Sequence, residues 1–414
     1  MLLNIDNDCM AYDWGSQGRI SALLGRSMGP VQEAELWLGA HPKAPSRFVD
    51  TEAQWTDAHQ WEQLTGRRLE FLLKILAAER PLSLQAHPAA AQAESGFVRE
   101  EAAGIPIDAP HRNYRDSRPK PEMLVALEDG FQALCGFRST EQIMRTLDAV
   151  RIQLPQNSTT AAGRALGRWQ ELLSQAAERQ DELGDVVAWL LTAEESAAVV
   201  PALLAAAAAE QSGAGTEEPG PWRLIRLLQE SHPGDRGIAV AVMLHHLTLR
   251  AGESLWLPAG VLHSYVQGLG VELMGPSDNV LRGGLTSKHV DTAELLRVAD
   301  LTPRAVHPSS AVPVGDHVVA HRPAGQEGAP FELLEITGSA EVEAPGPSVL
   351  IVLDGRFRVS ADGENTPAAS EAEETRTAGR GDQLLHTGSG RLRVDGQGRA
   401  FLAIPRDDPS ARRS

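Results

Sequence analysis

The sequence predicts a mainly β protein with two antiparallel β-sandwich units and an α-helical insert. Residues 1–138 alternate short apolar runs with Gly and Pro, and residues 304–414 alternate in the same way, which is typical of short strands. Residues 139–230 change instead to the apolar spacing of helices. We therefore expect a first β-unit over 1–138 and 231–303, a helical insert over 139–230, and a second β-unit over 304–414.

The helical insert begins with a capping signal. Ser139 is followed three residues later by Gln142, and apolar residues then recur at helical spacing from Ile143. Four further helical stretches follow, and segment 211–220, rich in Gly, is predicted as a loop between the last two. Strand character resumes at Ile238. Nothing in the insert suggests chemistry.

Charge and cysteine content exclude several classes of function. The 414 residues contain 38 Lys and Arg against 55 Asp and Glu, a net charge of −17, which repels nucleic acids and anionic membranes. Cys9 and Cys135 are too few for a disulfide framework or a thiolate zinc site. The start has no basic-then-apolar run, and no segment has the apolar length of a membrane span. We expect a cytoplasmic protein with no nucleic-acid or membrane partner.

Residues 81–88, PLSLQAHP, place polar side chains inside an apolar frame. In an extended strand Ser83, Gln85 and His87 share one face. Two residues along a strand span about 6.6 Å, so Gln85 and His87 can converge on one small object. Taken alone, the pattern is more typical of a half-solvated edge strand.

Three further stretches also group polar side chains. Lys120 and Glu122 are two residues apart in RPKPEMLVAL, and a Pro-Ala-Gly turn precedes His263 and Tyr265 in LPAGVLHSYV. The third stretch, residues 271–291, contains Glu272, Asp278, Arg282, Lys288 and His289. Histidine, glutamate and glutamine can all bind a divalent metal, and imidazole favours zinc. Each of these residues taken singly is better explained as a separately satisfied polar group.

Lys74 interrupts the apolar run FLLKIL. A buried ammonium costs several kcal/mol unless it is paired or its pKa falls. Lys74 therefore either reaches a carboxylate, the favoured account, or faces a polar cavity. With Lys120, Arg282 and Lys288 it lies close in sequence to the candidate ligands, and such cations would help to hold a phosphate.

Together these stretches resemble the type I phosphomannose isomerases, which have a cupin fold. The motifs occur in the family's order: YDWG (12–15), AELWLGAHPKAPS (34–46), PLSLQAHP (81–88), NYRDSRPKPEM (113–123), LPAGVLHSY (257–265) and VELMGPSDNVLRGGLTSKHVD (271–291). The resemblance implies cupin or jelly-roll-like sandwiches and one Zn²⁺ per chain. It also implies interconversion of mannose 6-phosphate and fructose 6-phosphate through an enediol. We expect a monomer that acts on a small sugar phosphate.

The resemblance also implies roles for individual residues. The family's zinc ligands fall on Gln85, His87, Glu122 and His263. The catalytic group falls on Arg282, Lys120, Glu272 and Asp278, and the substrate-binding group on Ser83, Lys74, Lys288 and Tyr265. The identity of the general base stays open among Glu272, Lys120 and His263.

Two other classes of protein compete with this interpretation. An iron-dependent cupin dioxygenase would use two histidines and one carboxylate with open positions, but Gln-x-His and a lysine before the glutamate fit an isomerase better. A non-catalytic sugar-binding cupin, or a metal-dependent cupin acting on another sugar phosphate, would use the same scaffold. The retention of all four ligand types together with Arg282, Lys120 and Lys288 favours an enzyme.

Overall fold

The computed structural model describes residues 1–50, 53–154, 160–179, 182–210, 221–322, 329–362 and 374–406. Within these ranges an eleven-stranded and a ten-stranded antiparallel sheet accompany a group of helices. This confirms the mainly β fold with a helical insert. The predicted loop 211–220 lies outside the described residues.

The strands and helices have the following bounds. The strands are β1 (Leu2–Asp6), β2 (Cys9–Met10), β3 (Glu35–Leu38), β4 (Arg47–Phe48), β5 (Leu72–Ala78), β6 (Gln85–Ala86), β7 (Glu122–Ala126), β8 (Phe131–Phe137), β9 (Leu244–Leu249), β10 (Glu253–Leu257), β11 (His263–Met274), β12 (Leu281–Arg282), β13 (Ser309–Ser310), β14 (Val312–Gly315), β15 (Val318–His321), β16 (Phe331–Ile336), β17 (Ala340–Ala344), β18 (Ser348–Ala361), β19 (Glu374–Gly379), β20 (Gln383–His386) and β21 (Gly390–Pro405). The helices are α1 (Arg19–Leu24), α2 (Ala58–Thr65), α3 (Ala90–Ala102), α4 (Thr140–Gln153), α5 (Ala161–Arg179), α6 (Gly184–Thr192), α7 (Val199–Glu210), α8 (Pro221–Ser231), α9 (Gly237–Val242) and α10 (Thr292–Val298), with a 3₁₀ turn at Glu195–Ala198.

Strand β11 joins the two layers of the first sandwich. Its first half pairs with β6 and β8, and its second half pairs with β5 and β7. The chain changes layer at Gly268, which has φ +139° and approaches Phe131 so closely that a Cβ would lie 2.4 Å from its ring. Glycine is required there because no side chain fits. Because of this change of layer, His263 pairs with β6 and β8, whereas Glu272 on the same strand pairs with β5 and β7.

Strand β5 is buried on both faces, which explains its nearly continuous apolar sequence. Leu73 and Ile75 pack in the core between the two β-units, whereas Leu76 and Ala78 point into the first sandwich. Because side chains alternate along a strand, Lys74 shares the inward face with Leu76.

The second sandwich takes one strand from the opposite end of the chain. Strand β1 pairs with β20 and β4, with Leu2 opposite His386. Strand β13 pairs with β10 of the first sheet. Strands from both sides of the expected domain boundaries thus share sheets. The division of the chain into domains at 138/139, 230/231 and 303/304 therefore stays a prediction.

The helical insert packs against the first sandwich. Ser139 caps α4, accepting from the Gln142 amide at 3.2 Å, while the Gln142 side chain accepts from the Ser139 amide; the capping box is therefore confirmed. The helices share one core with Leu84 and Ala86 of the PLSLQAHP strand. The strand expected to begin at Ile238 is wrong for residues 238–242, which belong to helix α9. Every residue of α9 is buried, so its sequence shows no alternation of polar and apolar residues that would mark a helix.

Among the described residues, no single helix is both long and apolar enough to cross a bilayer. The helix Gly184–Thr192 and the stretch Glu195–Ala209 meet the length and composition criteria only as a pair, which is bent by 82°. Their apolar side chains are part of the buried helical core.

Candidate active site

Three ionisable side chains from different strands meet inside the first sandwich. His87 follows β6, Glu122 opens β7 and His263 opens β11. Their ligand-type atoms all lie within 4.8 Å of one another, and all three residues are buried. Nε2 of His87 is 3.3 Å from Oε1 of Glu122, and Nε2 of His263 is 3.1 Å from Oε2 of the same carboxylate. The structure thus brings together three of the four predicted zinc ligands.

A backbone carbonyl orients each imidazole. Nδ1 of His87 is 2.7 Å from the carbonyl oxygen of Asn279, and Nδ1 of His263 is 2.9 Å from that of Val261. Because a carbonyl only accepts, Nδ1 carries a proton in both rings, so that in the neutral form of each ring Nε2 presents a lone pair. Neither Nε2 has a hydrogen-bond partner among the described residues. Burial lowers the pKa of His87 to about 4, which keeps this ring neutral.

This arrangement is unfavourable by itself and fits a metal ion. Two imidazole lone pairs face the oxygens of one carboxylate, so like partial charges approach each other in a buried space. The separations of 3.1 and 3.3 Å are close to the edge of about 3.3 Å for a zinc tetrahedron with bonds of about 2.0 Å. Carbonyl-bound imidazoles are also the usual outer-shell pattern of metal ligands. The residues therefore fit a divalent metal.

Gln85 lies in register with this centre. It is directly opposite His263 on β11 and opposite Arg282 on β12. Directly opposed residues of antiparallel strands project to the same face. Gln85, His263 and Arg282 therefore share one face of the sheet, which places the fourth predicted ligand and the predicted catalytic arginine beside each other.

Lys120 is the cation nearest to this centre. Its Nζ is 2.9 Å from Oε1 of Glu122, and both side chains are buried. Burial opposes ionisation of Glu122, but the charge of Lys120 holds the pKa of its carboxyl well below the usual range. Glu122 is therefore ionised, as a metal ligand must be.

Lys74 lies between two buried carboxylates. Its Nζ is 3.2 Å from Oε1 of Glu35 and 3.1 Å from Oε2 of Glu272. Tyr265 donates its hydroxyl to Oε1 of Glu272 at 2.8 Å, and the indole of Trp37 donates to Glu35 at 2.8 Å. Burial acts to lower the pKa of Lys74, but the two carboxylates raise it overall. The favoured sequence interpretation, a lysine paired with a carboxylate, is confirmed.

Replacing Lys74 with methionine is expected to destabilise the fold by about 3–5 kcal/mol, because removal of one partner leaves buried charge uncompensated. Urea-induced unfolding at a fixed zinc concentration, followed by tryptophan fluorescence, measures the change.

Two variants serve as controls for this measurement. Lys288→Met removes an exposed lysine and should change stability by no more than about 0.5 kcal/mol. The double variant Lys74→Met/Glu272→Gln removes one of the two uncompensated carboxylates and should recover part of the loss. Equal stability of Lys74→Met and the unmodified protein would contradict the buried ion-pair interpretation.

Asp278 is bound to the turn after β3. Its Oδ2 is 2.7 Å from Nζ of Lys43 and 3.5 Å from Nε2 of His41. Its backbone amide donates to the Asp116 carboxylate at 2.9 Å. Burial raises the pKa of Asp278, but the hydrogen bond from Lys43 lowers it overall. This side chain therefore fixes the 277–282 loop to its surroundings.

Arg282 and Lys288 differ from the other charged residues of the site because their side chains are free. Neither cation makes a hydrogen bond or an ion pair with any described residue. Ser83, two residues before Gln85, is half-buried, and its hydroxyl likewise makes no hydrogen bond within the described ranges. Strand register places Arg282 beside Gln85, whereas Ser83 and Lys288 lie outside the strands. The side-chain donors of all three are available to a ligand.

The chain beyond Arg282 is held against the helical insert. Gly284 has φ +114°, and a Cβ there would lie 2.5 Å from the Cα of Gly237. Only glycine allows this approach. The backbone that carries Arg282 therefore runs directly into a close contact with α9.

The sequence interpretation missed several residues that shape the site. They are Glu35, Trp37, His41, Lys43, Arg115 and Asn279. All lie within stretches that carried the family resemblance, so motif membership was the available signal. Their contacts come from distant parts of the chain, which spacing does not reveal.

Comparison with known proteins identifies the family. The family model "Phosphomannose isomerase type I, catalytic domain" matches residues 2–140. The mannose-6-phosphate isomerase of Salmonella typhimurium is 33% identical over 322 residues, which cover 74% of this chain and 77% of that relative. The chain belongs to the type I phosphomannose isomerase family. The Escherichia coli (strain K12) mannose-6-phosphate isomerase is 35% identical over 303 residues, 70% of this chain and 72% of the relative.

Solved structures of the family share the whole fold. The crystal structure of Salmonella typhimurium mannose 6-phosphate isomerase bound to its substrate, f6p, and zinc aligns with a TM-score of 0.80 at 28% identity. The alignment covers 98% of this chain and 100% of that one. The two-sandwich architecture is therefore the cupin-like fold of the phosphomannose isomerase family, as the sequence motifs implied.

Proposed function

We propose that this protein is a zinc-dependent aldose–ketose isomerase that interconverts mannose 6-phosphate and fructose 6-phosphate. One observation carries the proposal: in a buried centre of His87, Glu122 and His263, the residue His263 shares its sheet face with Gln85 and Arg282, and the Arg282 side chain has no partner among the described residues. The relatives that match over two thirds of the chain are mannose-6-phosphate isomerases. Zinc held by Gln85, His87, Glu122 and His263 would supply positive charge to polarise the substrate carbonyl.

The reaction moves a carbonyl between C1 and C2 of the sugar phosphate. A base removes the proton from the carbon next to the carbonyl, and an enediol forms before the proton returns to the neighbouring carbon. The guanidinium of Arg282 has no protein partner among the described residues, so its donors can stabilise negative charge on the enediol oxygens.

Contacts in the site support a division of roles. Both oxygens of Glu272 are already bound, one by Tyr265 and the other by Lys74. We therefore assign an orienting role to Glu272. We assign proton transfer to Lys120, beside Glu122, whose ammonium must first lose a proton before it can act as the base, as the positive charge of a bound zinc would favour. Lys74 and Tyr265 would act on the substrate site indirectly, because each holds one oxygen of Glu272 in place.

The remaining predicted residues bind the substrate phosphate or position the loop that carries Arg282. The side chains of Lys288 and Ser83 have no hydrogen-bond partner within the described ranges, so their donors can bind the substrate phosphate. Binding of this remote group would position the reacting carbons. Asp278, bound to Lys43 and His41, would hold the loop that carries Arg282.

A coupled assay for fructose 6-phosphate formation tests the function. Zinc-loaded protein is expected to convert mannose 6-phosphate with a kcat of about 1–10³ s⁻¹. Glucose 6-phosphate serves as the competing substrate, and a preference for it would favour the alternative of another sugar phosphate. No turnover of any aldose phosphate by zinc-replete protein would refute the isomerase and favour a non-catalytic sugar-binding cupin.

We also propose that the enzyme acts as a cytoplasmic monomer with the domain division given above. Size-exclusion chromatography with light scattering tests the monomer, since a mass near 44.5 kDa is expected. Two cysteines, Cys9 partly exposed and Cys135 buried, are both unpaired, which is compatible with a reducing compartment.

A further inference from the structure

Three cationic side chains near the metal centre have no hydrogen-bond or ion-pair partner in the part of the chain that the structure describes. We call Arg115, Arg282 and Lys288 the cationic cluster. None of their side chains makes a hydrogen bond or an ion pair with a described residue, although the protein as a whole carries a net charge of −17. Cations held near each other without a directly paired carboxylate repel, so this cluster is a place where an anion gains stabilisation.

Arg115 is attached to the metal centre through Asn279. The backbone amide of Arg115 donates to Oδ1 of Asn279 at 2.7 Å, and Nδ2 of Asn279 donates to the Asp116 carbonyl at 2.8 Å. The carbonyl oxygen of the fully buried Asn279 accepts from Nδ1 of His87 at 2.7 Å. Arg282 follows Asn279 by three residues. Asn279 therefore has two roles: its side chain holds the backbone of Arg115, and its carbonyl oxygen orients His87.

The charges of the cluster act on one another. Burial, and after it the charge of Arg115, lowers the pKa of Arg282. Burial, followed by the charges of Arg282, Arg115 and Lys43, lowers the pKa of Lys288, which Asp13 opposes. These mutual effects agree with the hydrogen-bond chain in placing Arg115 close to the other two cations.

We propose that Arg115 is a third phosphate-binding side chain and makes the site specific for phosphorylated sugars. The proposal rests on the proposed function, because it takes the phosphate of the sugar phosphate as the ligand. A planar guanidinium binds two phosphate oxygens at once, which an ammonium does not. Arg115 is half-buried and its backbone amide is bound to Asn279, so the point from which its guanidinium reaches the phosphate is fixed.

Calorimetric titration of the zinc-loaded protein with inorganic phosphate and with fructose 6-phosphate tests this assignment. Arg115→Gln is expected to weaken both by about 10- to 100-fold, the effect of losing charge-assisted hydrogen bonds. Arg115→Lys should recover part of the affinity. Arg118→Gln removes the same charge from an exposed side chain of the same segment and should change affinity by less than about 2-fold. Zinc content should be equal in all four proteins.

Kinetics add a second readout. Arg115→Gln should raise KM for mannose 6-phosphate more than it lowers kcat. Unchanged phosphate affinity in Arg115→Gln, or an equal loss in Arg118→Gln, would overturn the proposal. If Arg115→Gln loses zinc, the phosphate affinity of Arg115→Lys is the deciding measurement. An affinity of Arg115→Lys for phosphate equal to that of the unmodified protein would then refute the bidentate role. Phosphate binding needs no turnover, so an inactive but phosphate-binding protein would refute the proposed function and leave Arg115 supported.

Discussion

Glu122→Gln is expected to weaken zinc binding by at least about 100-fold and to abolish isomerase turnover. Loss of an outer-shell partner alone costs about 10- to 100-fold in metal affinity, and this change removes a ligand charge. Glu122 is also the carboxylate that both Nε2 atoms face at 3.1 and 3.3 Å and that Lys120 contacts at 2.9 Å. Without it, the Lys120 ammonium would stand unpaired beside the metal.

Zinc content after dialysis against a zinc buffer measures this effect, together with the coupled assay. Glu294→Gln is a matched control, since it removes a buried carboxylate that contacts Arg99 and Tyr114 rather than the metal centre. Chelation of the unmodified protein should give the same loss of turnover, and added zinc should restore it. Full zinc occupancy in Glu122→Gln would exclude Glu122 as a ligand.

Arg282→Ala is expected to lower kcat by about 10²–10³-fold while zinc content stays unchanged. Loss of one donor to a developing oxyanion costs about this much in other enzymes. The effect should fall on kcat because the interaction is strongest when charge develops in the transition state. Arg282 makes no ion pair with any described residue, so its removal leaves no protein carboxylate unpaired.

Arg282→Lys separates charge from geometry. It keeps the positive charge but loses the planar fork of donors, so an intermediate kcat is expected. Zinc analysis and far-ultraviolet circular dichroism of each variant report whether the site and fold are intact. An unchanged kcat for Arg282→Ala would exclude this residue from catalysis.

The identity of the metal separates the isomerase from its closest rival. His87, Glu122 and His263 alone also match the two-histidine, one-carboxylate face of iron oxygenases. The register of Gln85 opposite His263 offers a fourth protein ligand on the same face, which suits tetrahedral zinc better than iron with open positions. Iron in the purified protein with oxygen-dependent turnover would reverse this conclusion.

Local patterns predicted the parts of the fold that depend on neighbouring residues. The capping box at Ser139 is set within a few residues, and the strand predicted around Gln85 is present as the two residues Gln85–Ala86. The helix α9 was missed because every side chain in 238–242 is buried, and an element buried on all sides has no polar face to mark its period. Strand β1 pairs with β20 almost four hundred residues away in sequence, so no local signal announces its partner.

The ligand types, the cations around them and the family to which the motifs point could be read from the amino-acid sequence alone. The fold was needed to show which of these groups meet and which have no partner among the described residues. Lys74, close in sequence to the candidate ligands, is paired with two buried carboxylates, whereas Arg282, Lys288 and Arg115 have no partner among the described residues. Spacing along the chain gives the face on which a side chain lies. The charge that it meets there is set by strands that only folding brings together.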